Sequence, residues 1–341
     1  MILAPVAKHL GPKGKRRVLV VSDGALNYLP FAALPLPPSA QTEIEREPAS
    51  RSASFVPLVV DHEVVSLPSV SALNALRRES AGRKLADKTL AVLADPVFER
   101  DDVRLRGGRI VEGPPIRSVN ASEADIVGKH AHVTANSPPQ SGGSDNSSRI
   151  QRLPFTRREA EEILALVPAV DRMRALDFDA SRTTAISPEL GRYRFVHFGT
   201  HGLLDSAHPE LSGIVLSMFD RKGHEQDGYL RVHEIFNLKL PVELVVLSGC
   251  RTGLGKEIKG EGLVGMTRGF MYAGATRVVV SLWDVSDEAS ARLMVQFYKG
   301  MLGKGLSPAS ALREAQKALW KEGRWSSPYY WAAFVLQGEY R

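Results

Sequence analysis

Short, uninterrupted apolar runs recur along the chain: Val18-Leu-Val-Val21, Leu90-Ala-Val-Leu93, Phe195-Val-His-Phe198, Leu244-Val-Val-Leu247 and Arg277-Val-Val-Val-Ser-Leu282. A run of this length reads as a strand, and a strand apolar at consecutive positions is buried on both faces. Helical periodicity separates the runs, at 70–78, 262–273, 286–302 and 308–321, before a last apolar stretch at 331–336. Thr156, with Glu159 three residues on, has the pattern of a capping box opening a helix to about Val167. Strands buried on both faces and alternating with helices predict an α/β fold, a three-layer αβα sandwich around a mostly parallel sheet.

Two segments interrupt this alternation. Pro35 to Pro57 is rich in Pro, Ser and Glu, and Glu99 to Arg152 contains the tract Ser137-Pro-Pro-Gln-Ser-Gly-Gly-Ser-Asp-Asn-Ser-Ser148. Neither carries enough apolar residues to offset the entropy of ordering, so both are expected to be flexible inserts in a single domain spanning 1–341. The exposed arginines of the second insert also make it a candidate for self-cleavage.

In open parallel sheets the functional site lies beyond the carboxyl ends of the strands. Two predicted strands end in reactive residues. One reads Phe-Val-His-Phe-Gly-Thr-His-Gly and finishes at His201-Gly202; the other reads Val-Val-Leu-Ser-Gly-Cys and finishes at Cys250. If the two strands are neighbours, imidazole and thiol share one sheet edge. A thiol must lose its proton to attack a carbonyl, and an imidazole supplies the base. The oxyanion that follows needs fixed donors, for which the backbone N–H groups of Gly202 and Cys250 are the candidates. No carboxylate obviously completes a triad, so the arrangement reads as a His201/Cys250 dyad. A single cysteine is more often a buried hydrophobe, but Cys250 stands among Ser248, Gly249, Arg251, Thr252 and Gly253, which are loop residues.

Composition removes several other classes. The chain has one cysteine, which excludes an internal disulfide, fits a reducing compartment and cannot form a Cys-rich zinc site. A metal pair built from His197 and His201 lacks an acidic cluster to complete it. The formal charge of +6 is spread among acids, with no zinc-finger spacing and no aromatic RNA-binding signature, so no nucleic acid is predicted. No run approaches the roughly 18 apolar residues of a membrane helix. The start, Met-Ile-Leu-Ala-Pro, puts its basic residues after the apolar stretch, unlike a secretory signal, so the cytoplasm is expected. A nucleophile elbow fails because Ser248 and Thr252 stand where it needs glycine, and no phosphate loop is present, so no cofactor is expected.

The sequence also resembles the CHAT domain, the caspase-like peptidase module related to caspases, separase and gingipains and often attached to tetratricopeptide repeats. The resemblance runs nearly end to end. It rests on Asp-Gly-Ala-Leu-Asn-Tyr-Leu-Pro-Phe (23–31), Leu-Pro-Ser-Val-Ser-Ala-Leu (67–73), His-Phe-Gly-Thr-His-Gly (197–202), Leu-Ser-Gly-Cys-Arg-Thr-Gly (247–253), Gly-Glu-Gly-Leu-Val-Gly (260–265), Ser-Leu-Trp-Asp-Val-Ser-Asp (281–287) and Pro-Tyr-Tyr-Trp-Ala-Ala-Phe (328–334). It maps the family's catalytic pair onto His201 and Cys250, at the caspase separation of about 50 residues. Gly249 stands where the caspase signature has alanine, which implies a caspase relative rather than a caspase.

This resemblance implies a cysteine endopeptidase acting on a protein or peptide substrate, latent until an upstream domain, a tetratricopeptide-repeat protein or another activator engages it. The alternative is a non-catalytic interaction or scaffold module on the same fold. By analogy with separase, Asp284 and Asp287 are candidates for recognising a basic residue before the cleaved bond, with Ala291 where a further acid would be expected. Glu261 is a candidate for positioning a loop over the site. The same residues also suit plain structural roles: Ser286 or Asp287 as a helix cap, and Glu261 as a favourable charge at a helix start. The 23–31 segment is expected to turn the chain after the first strand and anchor Leu29 and Phe31 in the core. No repeats lie upstream of Val18, which leaves a standalone domain, a fragment and half of a two-protein system all open.

Overall fold

The computed structural model describes residues 2–10, 16–36, 56–107, 150–203, 212–249 and 261–340. Its strands are β1 (Arg16–Val20), β2 (His62–Ser66), β3 (Lys88–Pro96), β4 (Arg172–Asp177), β5 (Tyr193–Leu203), β6 (Gly213–Val215), β7 (Tyr229–Arg231), β8 (Leu244–Gly249), β9 (Arg277–Ser281) and β10 (Phe334–Gly338). Eight of them form one sheet in the order β1-β2-β10-β9-β8-β5-β3-β4, while β6 pairs with the end of β5 and β7 with β6. Every neighbour pair along the eight-strand path is parallel except β10 and β9. The result is a mixed, mostly parallel sheet, as the continuous apolar runs predict.

Helices α1 (Val70–Ser80), α2 (Pro154–Leu164), α3 (Arg182–Ala185), α4 (Val232–Phe236), α5 (Glu261–Tyr272), α6 (Asp287–Tyr298), α7 (Pro308–Lys321) and α8 (Pro328–Trp331) cover the two faces. Side chains alternate along each strand, so two cores form. Leu90, Val92, Phe195, Leu244, Val246 and Val279 pack on the face of α2, α6 and α7. Ala91, Leu93, Val196, Val245, Leu247 and Val278 pack on the opposite face with α1, α4 and α5. A period of two on a strand buried on both sides gives the unbroken apolar run. Among the described residues no helix is long and apolar enough to cross a membrane.

Several local expectations need correction. Thr156 does not cap α2: Leu153 holds the cap position, Pro154 starts the helix, and the Thr156 hydroxyl donates back to the Leu153 carbonyl at 2.7 Å. Proline needs no amide partner at a first helical turn, so it sets the start three residues earlier than the Thr-x-x-Glu pattern predicts. The last strand begins at Phe334, because Pro328 starts a short helix that seats the Trp331 indole fully in the core. Leu29 and Phe31 are half-buried; the buried residue is Ala32, just after that segment. The ends of both expected inserts take part in the fold: Leu36 is buried, Pro35 bridges Pro57, and Arg104 is buried in an ion cluster. The centres of the two segments, including the candidate self-cleavage stretch 108–149, lie outside the described residues.

Candidate active site

Strand β5 runs beside β8 with Phe195 opposite Leu244 and Phe198 opposite Leu247. The register then shifts, and His201 lies opposite Gly249, so β5 carries one extra residue before its histidine. Such a bulge re-aims side chains at a strand end. Glycine at 249 follows from the close approach that results: a Cβ there would stand 2.5 Å from the Thr200 carbonyl oxygen. The residue after Gly249 is Cys250. Cys250 itself, with its backbone N–H, lies outside the described residues, as does the side chain of Glu261, whose backbone opens α5. Gly202 follows His201 in β5, opposite Ile214 of β6.

His201 is 1% exposed and packs against the Phe98 ring at 5.3 Å between centroids. Its Nε2 lies 2.6 Å from the carbonyl oxygen of Gln151. A carbonyl only accepts, so Nε2 carries the hydrogen, and in the neutral ring Nδ1 is left with the lone pair. The contact therefore selects the nitrogen able to act as base. Sequence reasoning missed Gln151 because every residue has a carbonyl, and no side-chain pattern marks the one that is used.

His197 takes no part in this. Its side chain is fully buried on the face of α2 and α6, where Nε2 lies 2.8 Å from Glu159 Oε1 and 3.2 Å from Ser248 Oγ. The Tyr298 ring meets His197 edge-on. Burial first, and the charge of Glu159 second, push the Tyr298 phenol well above its ordinary value, so it stays neutral. Glu159, the expected second half of a capping box, is thus a buried partner for His197.

Beside His201 and Gly249 opens a cavity of about 460 Å³, lined by Ser248 of β8, Ser281 of β9, Asp284 to Asp287 on the way into α6, and the aromatic residues Trp325, Tyr329 and Tyr330. Both acids singled out in the sequence line it. Asp284 is exposed at the mouth and raises the Tyr329 phenol, after burial, by its charge. Asp287 is largely buried and accepts the Phe155 amide at 2.9 Å. It therefore caps a helix, though the helix is α2 and not its own; Ser286 holds the cap position of α6 without a side-chain bond. Burial, with the charges of Glu159 and Asp95 added to it, pushes the Asp287 carboxyl up to about 7, against the pull of that amide. Arg324 also reaches the cavity wall, but its guanidinium is bound to Glu288 at 2.8 Å and lies over the Trp325 ring.

The CHAT domain family profile matches residues 1–339. This chain belongs to the CHAT domain family. Tetratricopeptide repeat protein 28 of Homo sapiens is 38% identical to it over 113 residues, which is 33% of this CHAT chain and 4% of the human protein. The Mus musculus protein of the same name is 38% identical over 109 residues, 32% of the chain and 4% of that protein. The CHAT chain thus spans a small fraction of these relatives. Among solved structures, gingipain R, an Arg specific cysteine proteinase, superposes with a TM-score of 0.53 at 10% identity, over 99% of this chain and 67% of that one. The Porphyromonas gingivalis complex of RgpB pro- and mature domains gives 0.51 at 10%. Separase, in the Saccharomyces cerevisiae separase–securin complex, gives 0.42 at 14% identity, over 81% of this chain and 14% of that one. On the gingipain superpositions, the CHAT domain has a caspase-like peptidase fold.

Proposed function

We propose that this CHAT domain is a cysteine endopeptidase in which His201 and Cys250 cleave a peptide bond after a basic residue. The observation that carries the reading is the register of β5 and β8, which sets His201 opposite Gly249, one residue before the chain's only cysteine. In this mechanism Nδ1 of His201 takes the thiol proton, and the thiolate attacks the substrate carbonyl carbon. The N–H groups of Gly202 and Cys250 hold the oxyanion. The imidazolium then gives its proton to the departing amine, leaving an acyl-enzyme. Water activated by the same imidazole hydrolyses that thioester and restores the thiol.

The cavity supplies the selectivity. A lysine or arginine side chain entering it meets the carboxylates of Asp284 and Asp287 and the faces of aromatic rings, both of which favour a cation. Arg324 does not cancel this charge, because Glu288 already neutralises it. Glu261, at the start of α5, is assigned to the loop over the site. The match to a tetratricopeptide repeat protein supports a protein partner as activator.

The same match favours one other reading, a scaffold module that keeps the fold without turnover. One experiment separates the two: wild type, Cys250→Ala and His201→Ala are exposed to a mixed peptide library, with and without cell lysate as a source of activator. Cleavage after Arg or Lys, lost in both variants, is the expected result. No cleavage under any condition, with no labelling of Cys250 by an electrophilic peptide, overturns the peptidase reading in favour of the scaffold.

A further inference from the structure

The Gln151 carbonyl can choose the His201 tautomer only if its peptide unit is held still. Gln151 is itself exposed, and among the described residues its side chain does not anchor it. The next residue does. Arg152 donates from Nε to Asp95 Oδ1 and from Nη2 to Asp95 Oδ2, both at 2.7 Å. A two-pronged pair of this kind fixes orientation as well as distance. Asp95 is a firm anchor: its side chain is fully buried, and its backbone has φ 50°, a left-handed conformation that an aspartate keeps only when its surroundings hold it there. It follows Ala94, which pairs in β3 with Gly199 of β5, two residues before His201. The carboxylate and the imidazole are therefore built on adjacent strands of one sheet, and the Gln151 peptide is suspended between them.

We infer that Arg152 is a positioning residue for His201: its paired hydrogen bonds to Asp95 hold the Gln151 carbonyl against Nε2 and so keep Nδ1 as the basic nitrogen. Arg152 acts through the peptide unit before it. The kinetic part of this inference rests on the peptidase reading, while the tautomer part does not.

Removing the guanidinium leaves the anchor intact. Asp95 keeps Arg157 Nε at 2.8 Å and Arg104 Nη1 at 3.3 Å, so its charge remains matched. Loss of positioning is thus separable from loss of fold.

The test uses the full 15N-labelled chain. Long-range 1H–15N correlation at a pH where the imidazoles are neutral distinguishes the two histidine tautomers, with His201→Gln assigning the signal. Wild type is expected to show His201 as a single tautomer protonated at Nε2. Arg152→Ala is expected to show mixed tautomers, with melting little changed, and Arg152→Lys to restore part of the Nε2-protonated population. Arg152→Met, which keeps the apolar stem, serves if the alanine variant fails to fold. Alkylation of Cys250 by an electrophilic peptide is expected to slow on the order of 10- to 100-fold in Arg152→Ala, the scale of a small misplacement. An unchanged Nε2-protonated tautomer in a folded Arg152→Ala or Arg152→Met chain overturns the inference. Absence of alkylation in wild type, with and without cell lysate as a source of activator, overturns the peptidase reading instead, and the tautomer comparison still decides the role of Arg152.

Discussion

Two groups of acids sit at the carboxyl end of the same sheet, and they are treated in opposite ways. Beyond β3 and β4, Asp95, Asp102 and Asp177 are enclosed by Arg104, Arg152 and Arg157, with most contacts under 3 Å. Burial alone would raise the Asp177 carboxyl, but the hydrogen bonds from Arg157 and Arg104 outweigh it and hold the group below its ordinary value. Asp102 is held down in the same way by Arg104. Beyond β9, Asp287 has an amide where those acids have guanidinium groups, and its carboxyl is pushed up to about 7. The first group is closed by arginines. Asp287 lines an open cavity and holds its carboxyl against burial. The contrast separates acids satisfied by arginines from an acid buried without one.

The largest test of this contrast is to open the closed group. Asp95→Ala strands buried guanidinium groups without their shared anion and is expected to cost about 3–5 kcal/mol in chemical denaturation. A loss under about 1 kcal/mol would mean that water already screens the cluster. Next comes the open group. Asp287 has a folded-state value near 7 against an ordinary 3.8, so the folded chain prefers it protonated. The preference costs nothing below pH 3.8, and the penalty grows as pH rises to about 7 and is constant above it. Asp287→Asn keeps an oxygen for the Phe155 amide and removes the charge. It is expected to stabilise the fold by roughly 2–4 kcal/mol at pH 8 and by nothing near pH 3, while weakening cleavage after basic residues. Equal effects at both pH values would refute the buried-charge account. The smallest effect belongs to Arg324→Ala, which removes a cation from the cavity wall and leaves Glu288 without it. Its exposed ion pair is expected to contribute less than about 1 kcal/mol to stability, while preference for a basic substrate sharpens slightly in competition assays.

Much of the fold is legible in the residues, and the failures have physical causes. The runs giving β3, β5, β8 and β9 are apolar at consecutive positions because both faces of those strands are buried; β1 carries its run at the sheet edge, where Leu19 is exposed. Strand β4, Arg-Met-Arg-Ala-Leu-Asp, lies at the edge of the sheet and keeps exposed basic residues, so it carries no such run. Strand β2, His-Glu-Val-Val-Ser, is too short and polar to stand out, although Val65 is fully buried. The Tyr-Tyr-Trp segment is apolar whether helical or extended, so its periodicity does not decide between the two.

By itself, the sequence determined the layered α/β class and named His201 and Cys250, since burial on two faces and a reactive group at a strand end both depend on residue type. The family resemblance, not the residue pattern, singled out Asp284 and Asp287, which line the cavity. Only the tertiary structure decided that β5 and β8 are neighbours in the register that sets His201 opposite Gly249. It alone chose the Gln151 carbonyl as the partner of Nε2, and the Phe155 amide as the partner of Asp287. Both partners are backbone groups, which every residue carries alike; which one meets a given side chain depends on where the chain returns in space, and no local pattern encodes that.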